Sequence, residues 1–129
     1  MKLLVLFIFS TLLSLSCNDK NDVELPGGLP LAQRVCGNDV AWLSDIIAKA
    51  EEDKATRKYQ GTYVGTIYLI TYKNSPAFLI DMSLGSGGIA YYLFDCNKQG
   101  IYPATVNGQI PTLYAEAVAN GKIIYSNVP

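Results

Sequence analysis

The chain reads as one α+β domain, in which an N-terminal amphipathic helix lies on an antiparallel sheet of four to five strands and a short second helix comes near the C-terminus. Three observations lead there. The hydrophobic period is 3.6 over residues 38–58 and changes to 2 from residue 62 onward. The β-branched and aromatic runs after the change are joined by short turn-forming stretches ("KNSP", "SLGSGG", "NKQG"), and strands joined this tightly pair antiparallel. Half of the 129 residues are apolar and only 16% are charged, enough for one packed core and contrary to a disordered chain.

Residues 1–16 form a targeting segment. Lys2 gives a positive start, and the apolar run 3–13 is too short to remain as a membrane span. The run ends in "LSLSC", with Leu15 and Ser16 just ahead of Cys17, which resembles the lipobox of bacterial lipoproteins. The resemblance implies cleavage before Cys17 and diacylation of that residue, so that the bilayer becomes a partner through Cys17. A doubly or triply acylated terminus gives stable anchoring, where one chain would be marginal. The competing readings are an ordinary signal peptide with an incidental cysteine, or a buried N-terminal helix. Residues 17–35, with "NDKNDVELPGGLP", read as the acylated cysteine and a flexible tether, because charge, Gly-Gly and two prolines interrupt any apolar period. The domain itself is expected over 36–129.

The helix over 38–58 is capped by Asn38 or Asp39. Val40, Leu43, Ile46, Ile47 and Ala50 share one arc with Trp42 at its edge. Asp45, Lys49, Asp53 and Arg57 lie opposite, four apart and alternating in sign, which reads as a solvated face with i,i+4 pairing rather than a docking face. Strands follow at 62–72, 76–82 and 89–96, and a fourth at 101–106 is demoted toward an edge by Pro103. A short helix at 112–119 stops at Asn120-Gly121, and "KIIYS" at 122–126 closes the sheet.

If residues 1–16 are removed and Cys17 is acylated, Cys36 and Cys96 remain. An exported chain sits in an oxidising compartment, so these two are expected to pair, with two buried thiols as the alternative. The bridge would close a loop of about 60 residues, worth roughly 4 kcal/mol by loop entropy.

Trp42-Leu43, "ITYKNSPAFLIDM" and "YYLFDCNKQG" follow one another in an order that resembles small Bacteroidota lipoproteins: a Trp-Leu helix, a hairpin, and an aromatic strand ending in cysteine before a Gly turn. The resemblance covers residues 36–102. It implies an envelope lipoprotein, with the outer membrane as its address, and carries no activity and no catalytic residue. The acidic residues after Cys17 resemble the surface-export signals of the same lipoproteins.

Chemistry is argued by elimination. The formal charge of −1 gives no basic patch for nucleic acid. With no histidine, a histidine triad or histidine zinc site is excluded. The "GSGG" at 85–88 lacks the Lys-Ser/Thr and the helix of a phosphate loop. Ser86 lacks a nucleophile elbow, leaving only a Ser–Lys dyad in principle. Asp81 and Asp95 are the carboxylates that would carry acid–base catalysis, which requires them to converge on one pocket. No motif points to a metal or cofactor. Tyr63, Tyr68, Tyr72, Tyr91 and Tyr92 are expected on strands, and one tyrosine-bearing face is expected outside the helix-covered core. Exposed tyrosines suit protein interfaces and sugar stacking, while β-propensity alone would also place them there. The expectation is a non-enzymatic binding module that meets an envelope protein through a tyrosine-rich sheet face. A glycan-binding accessory lipoprotein, an inhibitor or immunity-like protein, and a small carboxylate enzyme are the rivals, in that order.

Overall fold

The computed structural model describes residues 28–37, 40–86, 91–101 and 109–129. Cys17, residues 18–27, the Asn38 and Asp39 caps, Gly87-Gly88 and most of the expected strand 101–106 lie outside the described residues. The order of elements is α1 (Leu29–Cys36), α2 (Ala41–Thr56), β1 (Thr66–Tyr72), β2 (Ser75–Asp81), β3 (Tyr91–Phe94), α3 (Gln109–Asn120) and β4 (Lys122–Ser126). The strands form one antiparallel sheet in the order β3-β2-β1-β4. The α+β class and the expected C-terminal helix are therefore present.

Tyr72 pairs with Ser75 across Lys73 and Asn74, both at positive φ (46° and 63°), which is the backbone of a two-residue type I′ hairpin. Sheet twist and turn twist match there, and the register of the whole β1–β2 ladder follows. The "NKQG" turn is also formed. The Asp95 N–H donates to Gln99 O at 3.0 Å, and Phe94 bridges to Gly100.

Both faces of the sheet are covered. On one face α1 and α2 bury Leu43, Ile46, Ile47 and Ala50 against Ile67, Leu69, Phe78, Ile80 and Ile124. Trp42 meets Phe78 and Phe94 edge-on, each at 5.6 Å between ring centroids, and its indole N–H donates to Cys96 O at 3.0 Å. On the other face Tyr68, Ala77, Leu79 and Leu93 pack with Ala117 of α3. Full burial of a side chain such as Phe78, Ile80 or Leu79 contributes roughly 2 kcal/mol each.

Two expectations are corrected. Residues 29–35 are not tether: they belong to α1, with Leu29 and Ala32 buried in the main core. Pro30 opens the helix, where its missing N–H costs nothing, instead of breaking it. Gly28 lies so close to β4 that its N–H donates to Ile124 O at 2.6 Å and a Cβ would press on Ile124 Cα at 2.9 Å. The second correction concerns Asp53, which is buried with no exposed surface and not on a solvated face. The helix turns out of its axis at Arg57 (φ 59°), and the chain folds back over the Asp53 carboxylate.

Candidate functional site

That fold-back is built on the Asp53 carboxylate. Oδ1 accepts from the Tyr59 N–H at 2.9 Å and the Gly61 N–H at 3.2 Å, and Oδ2 accepts from the Tyr63 N–H at 3.1 Å. Burial alone would push the carboxyl up, but the three backbone donors, helped by Arg57, hold it below the usual carboxylate range. A depressed native pKa stabilises the fold above the unfolded value of 3.8 and loses that contribution as the pH falls through the lower native value. Asp53→Asn is expected to flatten the acid limb of a stability-versus-pH curve and to lower the neutral-pH Tm by about 10 °C. Thermal melts from pH 7 to pH 2 check both.

Asn127 closes the same corner. Its side chain accepts from Gly65 N–H at 2.8 Å and donates to Tyr63 O at 3.0 Å and Ala50 O at 3.3 Å. Nearby, buried Tyr125 donates to Glu51, and burial followed by that contact pushes its phenol well up. These groups are fully engaged in holding α2 to the sheet.

The candidate tyrosines are not gathered on one open surface. Tyr63 is buried in the turn before β1, not on a strand, and Lys49 Nζ sits 5.9 Å from its ring centroid. Tyr68, Tyr72 and Tyr91 share a face, but α3 lies on it. Tyr114 of α3 meets Tyr68 edge-on at 6.2 Å and Tyr91 at 5.2 Å. Burial and then the negative charge of Asp81 raise the Tyr114 phenol. Tyr92 points to the opposite face, stacked on Phe94 at 5.7 Å. The open tyrosine face is thus corrected: the helix over residues 109–120 occupies it, and its Leu113, Tyr114 and Ala117 supply the apolar stripe that covers the rings.

Asp81 and Asp95 are not brought together. Asp81 pairs with Tyr91 at the first residue of β3, and Asp95 follows the last residue of that strand. Asp95 Oδ1 accepts from the Asn97 and Gln99 N–H groups, each at 2.8 Å, and so shapes the turn. Ser86 is a loop tie: its hydroxyl donates to Ser83 O at 2.8 Å and accepts from the Tyr92 phenol at 2.9 Å. Cys36 and Cys96 form a disulfide, with Cα atoms 5.4 Å apart, that joins the end of α1 to the turn after β3.

Among the described residues, a concave surface lies at the hairpin end of the sheet. A groove of about 510 Å³ is lined by Leu31 and Val35 of α1, Leu69 and Thr71 of β1, the turn at Asn74 to Pro76, and Asn120 and Lys122. A smaller hollow of about 200 Å³ lies around the β1 edge, between Ile70, Thr71, Glu116, Asn120 and Gly121. The larger volume falls in the range of small-ligand sites, and its lining mixes apolar side chains such as Leu31, Val35 and Leu69 with polar ones such as Thr71, Asn120 and Lys122. Sequence reading missed it because its walls come from α1, read as tether, and from the helix end at Asn120, read as a stop. Among the described residues no helix is long and apolar enough to cross a membrane, and no three metal-ligating side chains come together.

Comparisons with protein-family models, with curated proteins and with solved structures found no match to this chain.

Proposed function

We propose that this protein is an envelope lipoprotein, anchored in the outer membrane through acylated Cys17, whose α+β domain serves as a non-enzymatic binding module. The observation that carries the reading is the Cys36–Cys96 disulfide, since such bridges persist where the compartment is oxidising. It agrees with the apolar leader and with a cysteine placed where the leader ends. The groove at the hairpin end supports the binding role better than the tyrosines, because it is concave and open while the rings are largely packed. Cys17→Ser is expected to move the protein from the membrane fraction to the soluble fraction when expressed in a Bacteroidota host. Retention of the variant in the membrane fraction contradicts the anchor.

A further inference from the structure

Strand β1 outruns β4. The last pair of that ladder is Leu69 with Lys122, whereas β1 continues through Ile70, Thr71 and Tyr72. The two-residue turn makes Tyr72 and Ser75 a hydrogen-bonded pair, so alternation directs the main-chain groups of Ile70 and Tyr72 toward β2 and those of Thr71 away from it. Thr71 is exposed, and among the described residues its N–H and C=O take no partner. The other edges of the sheet are treated differently. The Ile101 N–H donates to Leu93 O on β3 at 2.8 Å, and Gly28 covers Ile124 on β4.

The two hollows meet at this unpaired step, one on each face of the sheet, and both are lined by Ile70, Thr71 and Asn120. A strand laid along an edge sends alternate side chains to opposite faces. We propose that the step at Thr71 is a β-augmentation site: an extended peptide segment of a partner protein continues the line of β4, pairs with the Thr71 main chain, and places one side chain in each hollow. The 510 Å³ groove, walled by Leu31 and by Val35, an apolar side chain left 43% exposed, takes an aliphatic residue. The 200 Å³ hollow, with the Glu116 carboxylate and the Asn120 amide, takes a hydrogen-bond donor such as Lys, Ser or Thr. Main-chain pairing supplies affinity here, and the two hollows supply sequence preference. The inference deepens the binding role proposed above but does not depend on the lipid anchor.

The test is a selection of random displayed heptapeptides on the full chain in detergent, followed by calorimetry with one synthetic winner. Winners are expected to alternate an aliphatic residue with a donor residue. Thr71→Pro removes the edge N–H without touching the β1–β2 ladder and is expected to weaken binding about tenfold, as is Val35→Lys. Thr71→Val, which keeps the main chain, should bind like the parent. In the free protein the Thr71 amide should exchange faster than those of Tyr68 and Ile70, and the peptide should slow it. Failure to enrich any alternating peptide, winners indifferent to both Thr71→Pro and Val35→Lys, or a protected Thr71 amide in the free monomer overturns the proposal. So does a concentration-dependent dimer that Thr71→Pro abolishes, which would make a second copy the occupant. Loss of membrane anchoring in Cys17→Ser with peptide binding intact separates this site from the address.

Discussion

Gly65→Ala is expected to destabilise the domain by about 4 kcal/mol and to lower Tm by roughly 15 °C. Gly65 stands at the entry to β1, where the strand first meets the end of β2 and the C-terminal segment. A Cβ at this position would fall on the carbonyl oxygen of Asp81, which is backbone and cannot swing away. Relief would require β1 to back off from β2, and two contacts would then be lost at once. The Gly65 N–H donates to Asn127 Oδ1 at 2.8 Å, and Gly65 O accepts the Asn127 N–H at 3.2 Å. Urea unfolding should show a lower midpoint with an unchanged slope, since the unfolded chain is scarcely altered.

Loss of the disulfide is the second large effect, and its physics differs. The bridge spans 60 residues and encloses α2, β1, β2 and β3. In the loop-entropy account it disfavours the unfolded chain by about 4 kcal/mol. Cys36→Ala/Cys96→Ala should therefore lower the unfolding midpoint and raise the slope, because the released chain exposes more surface. Away from the bridge, the start of α1 is held by burial of Leu29 and Ala32 and by the Gly28 contact to β4. Hydrogen exchange in the double variant should rise first at the C-terminal turn of α1. A variant with unchanged slope and midpoint would show that the bridge constrains little.

Much of the fold was legible because local signals agreed with one another. The change of period between Ala50 and Thr66 separates helix from sheet, and "KNSP" marks the hairpin, whose turn is centred one residue earlier, on Lys73 and Asn74. "AFLI" in β2 also carried more than was taken from it. Four consecutive buried residues, with no alternation, mark a strand covered on both faces, and α3 is the second cover. Other features were not legible from spacing. Asp53 keeps the four-residue rhythm of Asp45, Lys49 and Arg57, and its burial depends on the chain folding back at Tyr59, Gly61 and Tyr63. Helix α1 was hidden by Gly28 and Pro30, which read as loop residues until β4 is seen beside them. The groove was hidden with it, since tertiary contacts set its walls. β-propensity placed Tyr68, Tyr72, Tyr91 and Tyr92 on strands, and the cover of Tyr68 and Tyr91 by Tyr114 is a property of packing.

The claim that place and redox state define this protein is tested most directly by the intact mass of the native protein extracted from membranes without reductant. A chain beginning at Cys17, heavier by its acyl groups and lighter by the two hydrogens of a Cys36–Cys96 bridge, is the expected result. A chain that keeps residues 1–16, carries no lipid and has both thiols free would contradict it.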